Sequence, residues 1–155
     1  MREFRFRSWN KLVNEMRDNV DLYVMTKELC RLELNPIKPT VLFIPINQPH
    51  IELMQYTGLN DKNGIEIYEG DIVKQCFEFQ NSDGYFDGYQ LGEVVVIASK
   101  GACMKNPLMY STDNGDVIKT KQYKNIVSYR SEVIGNIYEN PTLIEDMKQG
   151  WDYDC

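Results

Sequence analysis

The stretch that decides the fold is Met54–Val73, MQYTGLNDKNGIEIYEGDIV. It contains a turn signal at 61–64 (DKNG) between two apolar segments. A second punctuation follows at 69–71 (EGD), directly before the apolar pair at 72–73. Gly tolerates positive φ, and Asp and Asn bond their local backbone, so such clusters mark tight turns. Short apolar segments between turns predict β-strands.

Three residues of the second punctuation are expected to be structural. Gly70 can take positive φ where a residue with a Cβ would be strained. Asp71 can accept a hydrogen bond from a nearby turn amide. Ile72 then enters the core from a strand whose side chains alternate between two faces. This interpretation predicts no catalytic or metal-binding role for Asp71.

Toward the carboxyl end, the pattern predicts further strands. The β-branched segment 92–97 is expected to be a strand buried on both faces. The Gly- and Tyr-rich segment 80–92 is interpreted as a long hairpin loop, and 101–107 as a connection. An Asn-Gly turn is expected at 113–116, and 132–138 should be one of the last strands. Residues from about 54 to 140 are therefore expected to form the main β domain.

One short helix is predicted after the last strand. Asn140 can cap it, Pro141 fits its first position, and Gly150 follows its last turn. Leu143, Ile144 and Met147 share one face by their spacing.

The amino-terminal part is predicted to add strands. Residues 3–9 alternate, with Arg5 and Arg7 on one face, and are interpreted as an exposed edge strand. The segment 22–25 is expected to be a strand, whereas 12–16 fits a short helix or a strand. Periodicity leaves 29–34 undecided. Four prolines between residues 35 and 49 indicate a loop or sheet edge. The expected division is therefore 1–53 and 54–155.

Composition limits the function classes. The 155-residue chain has a net charge of −6, and its basic cluster is expected at Arg2, Arg5 and Arg7. Electrostatic binding of nucleic acid requires clustered Lys and Arg, so the acidic balance favours a protein partner. Nucleic acid binding remains the alternative function.

The residue types that carry chemistry are sparse. Four cysteines (Cys30, Cys76, Cys103, Cys155) are widely spaced and are expected to be free thiols, which fits a reducing cytoplasm. His50 is the single histidine and has no evident partner. Asp61 and Asn63 fit a turn better than a calcium loop. The sequence predicts no catalytic, cofactor or metal site and no membrane span.

The most promising surface is a group of aromatic residues in the predicted 80–92 loop and beside it. Phe79, Tyr85, Phe86 and Tyr89 are the candidate interaction residues, with Phe77 nearby. Aromatic residues among Gly and Asn give contact area at small entropic cost. The alternative is that some of these rings cover the open end of a barrel.

Three segments together resemble one protein family. They are Leu53–Leu59 running into Ile67–Val73, Val133–Pro141, and the opening Phe4–Trp9. In this order they resemble the YopX family. The resemblance implies a small phage or prophage protein with a domain built on an SH3-like barrel, and it implies no activity.

The resulting hypothesis is a mainly β protein with an SH3-like barrel at about 54–140, amino-terminal strands and a short carboxy-terminal helix. We expect a non-enzymatic accessory protein that binds an unknown host or phage protein. The strands 3–7 and 41–44 offer edges that can pair with another chain, so a homo-oligomer is also expected.

Overall fold

The strand-rich architecture predicted from the turn pattern is present in the computed structural model, which describes residues 5–20, 22–25, 28–34, 41–45, 48–81, 84–111 and 117–147. The mainly β class is therefore confirmed. The chain folds as two compact units, Met1–Tyr56 and Thr57–Cys155. The predicted division after residue 53 lies three residues before this observed division.

The first unit consists of short antiparallel strands. They are β1 (Phe6–Asn10), β2 (Glu15–Val20), β3 (Leu22–Met25), β4 (Glu28–Leu34), β5 (Val41–Pro45) and the first part of β6 (Ile51–Asn60). The segments left open by periodicity, 12–16 and 29–34, thus contribute to a turn and β2, and to β4. β3, β4 and β5 form a three-stranded sheet with β5 at one edge.

The interpretation of residues 3–7 as an exposed edge strand is wrong for the described part, 5–7. β1 pairs with β2 on one side and with β6 on the other. The cation of Arg5 lies 4.8 Å from the ring centre of Tyr56, and Arg7 Nη2 lies 3.6 Å from the sulfur of Met54. The alternation correctly indicates a strand, but these arginines contact apolar side chains because their stems pack well there.

The second unit is built on a sheet with the order β11-β10-β9-β8-β13, and β12 pairs with β10. Its elements are β7 (Glu66–Tyr68), β8 (Asp71–Asn81), β9 (Gly84–Ile97), β10 (Gly101–Ser111), β11 (Val117–Lys119), β12 (Tyr123–Asn125), a 3₁₀ turn (Ser128–Arg130), β13 (Ser131–Asn136) and α1 (Leu143–Met147). Closure of this sheet into an SH3-like barrel stays a prediction.

Two predicted loops are strands. The segment 80–92 belongs mostly to β8 and β9, which pair continuously from Ile72↔Glu93 to Asn81↔Gly84. The segment 101–107 is the first part of β10. At Gly92, glycine does not indicate a loop, because a Cβ there would lie 2.9 Å from the Cβ of Met104. Gly92 instead marks a close approach of two strands.

Two other predictions for this unit, the hairpin around 113–116 and the strand at 92–97, are confirmed in part. β10 and β11 pair as an antiparallel hairpin, as expected, but its predicted turn at 113–116 lies outside the described residues. β9 contains the predicted 92–97 strand. Val94 is fully buried, whereas Val95, Val96 and Ile97 are half-buried, so burial on both faces is incomplete.

Two hydrophobic clusters form on opposite faces of the β8–β9–β10 sheet, because neighbouring side chains of a strand alternate. One contains Ile67, Val73, Val94 and Met104, with Leu59, Ile126 and Val133 against it. The other contains Tyr89, Leu91 and Leu108, with Cys76, Tyr110, Ile134, Leu143 and Ile144 against it. Leu143 and Ile144 thus attach the predicted helix to the sheet.

The helix itself begins two residues later than its sequence signals suggest. Pro141 precedes α1, and Gly150 lies outside the described residues. Asn140 acts through its backbone carbonyl, which accepts a hydrogen bond from the N–H of Leu143 at 3.1 Å. Its side-chain oxygen instead accepts from the N–H of Asn136 at 3.2 Å. The sequence predicts a helix cap at Asn140, but it does not predict this hydrogen bond between the Asn140 side chain and the end of β13.

Candidate functional site

The first turn of the Met54–Val73 stretch is organised by the carboxylate of Asp61. Asp61 Oδ1 accepts hydrogen bonds from the N–H groups of Asn63 (2.8 Å) and Ile65 (2.9 Å). Its Oδ2 accepts from the N–H of Val133 in β13 at 3.0 Å. The Asp61 side chain is buried, so all three bonds form away from bulk water. The carboxylate oxygens are thereby engaged by backbone donors.

The second turn uses the same device ten residues later. Asp71 Oδ2 accepts a hydrogen bond from the N–H of Tyr68 at 2.8 Å, and Asp71 is 1% exposed. Gly70 has φ = +80°, as predicted, and its N–H donates to the carbonyl of Val94. Ile72 is also buried, at 1% exposure. The geometry agrees with the structural role predicted for all three residues.

The closing motif is held to the second turn. The N–H of Ile137 donates to the carbonyl of Gly70 at 2.9 Å. Asn136 Oδ1 accepts from the N–H groups of Tyr138 (3.0 Å) and Glu139 (2.8 Å), so it fixes the bend after β13. Two of the three sequence segments that carry the family resemblance, the one ending at Val73 and Val133–Pro141, therefore meet in space.

The segment 123–131 follows β11 and comprises β12, the 3₁₀ turn and the first residue of β13. One buried glutamine, Gln75, holds this segment. We call it the strap. Gln75 Nε2 donates to the carbonyl of Asn125 at 3.2 Å, and Gln75 Oε1 accepts from the N–H of Val127 at 2.6 Å. The hydroxyl of Ser131 also donates to Gln75 Oε1, at 2.9 Å. Nothing in the sequence pattern around Gln75 indicates this role.

Four aromatic residues are the predicted interaction surface, and the structure shows the burial of one of them, Tyr89. Tyr89 is 1% exposed and stacks on Tyr110 with 4.8 Å between ring centres, so its ring belongs to the core. This corrects the expectation that Tyr89 lies on the surface. Phe79 and Phe86 are backbone partners in the β8–β9 hairpin, and Tyr85 pairs with Gln80. Binding by Phe79, Tyr85 and Phe86 stays a prediction.

The cysteines do not all match the expectation of free thiols. Cys103 is buried and free, but Cys76 is disulfide-bonded. Burial raises the pKa of the Cys103 thiol, and the nearby Lys100 cation partly offsets this. The prediction for Cys76 is therefore wrong, and a reducing compartment stays a prediction. The backbone carbonyl of His50 accepts a hydrogen bond from the N–H of Lys11.

Potential metal ligands and membrane-spanning helices can be assessed over the described ranges. Within them, no group of three or more His, Cys, Asp or Glu side chains could hold a metal ion. Asp61 is compared with a calcium ligand in the sequence analysis, and its carboxylate accepts the three backbone hydrogen bonds described above. Among the helices of the described residues, none has the length and apolar character needed to cross a membrane.

An apolar turn joins β1 to β2 in the first unit. Leu12 and Val13 at this turn are 72% and 60% exposed. The turn is held at its base: the N–H of Leu12 donates to Asn10 Oδ1 at 2.9 Å, and Lys11 forms an ion pair with Glu52. Asn14 takes φ = +51° and completes the reversal. We call Leu12 and Val13 the hairpin tip.

These features define a mainly β protein. Its segments Met54–Val73 and Val133–Pro141 meet where β8 pairs with β13. A family model described as YopX protein matches residues 5–145, so the chain belongs to the YopX family. The resemblance noted from the sequence is thus confirmed.

Among solved structures, the chain is similar to protein EF1440 from Enterococcus faecalis. The sequence identity is 23%, the TM-score is 0.51, and the match covers 93% of this chain and 99% of that chain. At this identity the likeness concerns the fold alone. No curated protein matches the chain.

Proposed function

We propose that this YopX-family member is a non-enzymatic accessory protein, encoded by a phage or prophage, that binds a host or phage protein in the cytoplasm. The observation that carries the proposal is the hairpin tip. Two adjacent large apolar side chains, Leu12 and Val13, are mostly exposed there. Apolar groups that are displayed together in water are typical of interaction sites.

The tip is also ordered before any partner arrives. The Asn10 side chain and the Lys11–Glu52 ion pair hold the β1 side of the turn, and β1 is paired on both edges. A preorganised element loses little conformational entropy on binding, which favours affinity. The tip therefore suits insertion into an apolar pocket of a partner protein.

A non-enzymatic role is supported by how the signature residues are used. The carboxylates of Asp61 and Asp71 accept hydrogen bonds from backbone N–H groups of turns and of β13. Carboxylates engaged in this way stabilise turns.

The experiment is affinity capture from phage-infected host cells with the wild-type chain and with Leu12→Ser/Val13→Ser, followed by mass spectrometry. Ile65→Ser is the matched control, because Ile65 is also an exposed apolar turn residue (54%) but lies in the second unit. We expect one captured protein to be lost with the double variant and kept with the control. Equal capture by all three chains would remove the hairpin tip from the proposal.

Two further surfaces stay within this proposal. Phe79, Tyr85 and Phe86 near the end of the β8–β9 hairpin are proposed as additional contact residues, without Tyr89.

Self-association through β5, an edge strand of its sheet, is proposed in place of pairing through β1. Light scattering over a tenfold range of concentration tests it, and monomer mass throughout would remove it.

A further inference from the structure

Charge is distributed unevenly along this acidic chain. Residues 100–130 contain six basic residues and two acidic ones, whereas the whole chain has a net charge of −6. The basic residues are Lys100, Lys105, Lys119, Lys121, Lys124 and Arg130. All six belong to the second unit, and the side chains of Lys100, Lys105, Lys121 and Arg130 are exposed. The overall charge therefore conceals a basic region around the strap.

The strap has an inner and an outer side. On the inner side, Ile126 packs against the Ile67–Val73–Val94–Met104 cluster, and Gln75 bonds the backbone of Asn125 and Val127. On the outer side, Tyr123 is 42% exposed and Tyr129 is 73% exposed. Because the inner side is fixed by the core, the two tyrosines are displayed from an ordered backbone.

Each of these tyrosines has a cation beside its ring. Lys100 Nζ lies 5.7 Å from the ring centre of Tyr123, and Arg130 Cζ lies 5.4 Å from that of Tyr129. Lys105 is the backbone partner of Tyr123 across the β10–β12 pairing. Carboxylates are present as well: Glu93 is the β9 partner of Lys105, and Glu78 lines a small cavity together with Arg130. Lys100 and Arg130 thus each lie beside an exposed ring, and Lys105 is on the strand next to Tyr123.

We propose that the strap and its neighbouring lysines bind single-stranded nucleic acid. Proteins that bind single strands combine cations that contact phosphates with aromatic rings on which bases stack. The cations at Lys100, Lys105, Lys121 and Arg130 fit the first requirement, and Tyr123 and Tyr129 fit the second. An acidic protein segment would use the cations but offers no base to stack on the two exposed rings, so the tyrosines favour nucleic acid.

The test is fluorescence anisotropy of a labelled oligodeoxythymidylate titrated with the whole chain at low and at moderate salt. We expect saturable binding that weakens as salt rises, because phosphate contacts release counterions. Tyr129→Ala should weaken binding roughly 5- to 150-fold, the effect of losing one stacked base, while Tyr129→Phe should bind like the wild type. Lys105→Gln/Lys121→Gln should reduce the salt dependence.

Lys11→Gln is the control for charge, since Lys11 is an exposed lysine of the first unit. It should leave binding unchanged, as should Leu12→Ser/Val13→Ser, so failure here is separate from failure of the protein-binding proposal. Absence of binding at low salt would overturn the inference. So would an unchanged affinity in Tyr129→Ala, or polyglutamate that binds with the same dependence on Tyr129, which would indicate an acidic protein segment instead.

Discussion

Asp61 and Val133 are 72 positions apart, and the carboxylate of the first accepts a hydrogen bond from the N–H of the second at 3.0 Å. The same carboxylate also organises its own turn. One side chain therefore couples the local geometry of residues 61–65 to the position of β13. A residue that acts in two places at once should be costly to replace.

Replacing Asp61 by Ala should lower the free energy of unfolding by roughly 2–5 kcal/mol, because three N–H groups lose their acceptor. The control is Lys62→Ala, which removes the adjacent ion pair to Glu132. The two side chains of that pair are 44% and 38% exposed. An ion pair in such a position should contribute less than about 1 kcal/mol. Denaturant unfolding of both variants measures the difference. Similar losses for the two variants would contradict the role assigned to Asp61.

At the second turn, three substitutions measure backbone strain, packing and side-chain hydrogen bonding separately. Gly70→Val should cost roughly 1–3 kcal/mol, because φ = +80° strains a residue with a Cβ. Ile72→Ala should cost roughly 2–5 kcal/mol, since Ile72 is fully buried. Asp71→Asn should cost little, because an amide oxygen can accept the same bond from Tyr68.

The three variants are compared by denaturant unfolding and by capture of the partner. If Asp71→Asn keeps its unfolding midpoint but no longer captures the partner, Asp71 has a functional role and the structural interpretation is wrong.

Close packing of β9 against β10 predicts the effect of a single methyl group. In Gly92→Ala, the new Cβ would lie 2.9 Å from Met104 Cβ and 3.1 Å from Pro107 Cβ. The strands must separate to relieve this contact, so we expect a loss of roughly 1–3 kcal/mol. The control is Ala102→Gly, which also changes a single methyl group but in the neighbouring strand. A Gly92→Ala variant with wild-type stability would show that the strands adapt freely.

Cys103 predicts how stability depends on alkaline pH. Burial holds the pKa of its thiol above the ordinary value of 9.0, so the folded chain keeps the proton when the unfolded chain loses it. Its contribution to stability is therefore complete below about pH 9 and is lost as pH rises toward the folded pKa.

The measurement is chemical unfolding of the wild type and Cys103→Ala between about pH 8 and pH 10. The wild type should lose more stability over this range than the variant, which lacks the thiol. Parallel loss in the two proteins would show that Cys103 does not titrate differently on folding.

Local rules predict the turns but not what the turns contact. The positions of Asp61, Gly70 and Asp71 follow from the sequence because turn chemistry depends on a few neighbouring residues. The bond from Val133 to Asp61 does not, since it depends on how distant strands pair. The wrong prediction of an edge strand at β1 has the same origin: alternation identifies a strand without showing how many neighbours it has.

Glycine and tyrosine account for two of the wrong predictions, the 80–92 loop and the surface position of Tyr89. Gly92 and the tyrosines of 80–92 are residue types common in loops, but strand pairing buries Tyr89 and uses Gly92 for close contact. The strap does not stand out when its lysines are judged against the charge of the whole chain. Charge counted in a moving window along the sequence does locate the 100–130 region.

The pairing of β8 with β13 has a consequence for synthesis on the ribosome. The Asp61 turn can form as soon as residues 61–65 emerge, and the β8–β9 hairpin soon after. The β13 edge of β8 and the second oxygen of Asp61 must then wait until residues 131–136 have been translated. Slow decoding between residues 97 and 131 would prolong the lifetime of an unpaired strand edge, which is a target for aggregation and for chaperones. Codon choice in that interval should thus affect the yield of folded protein more than codon choice upstream of β8.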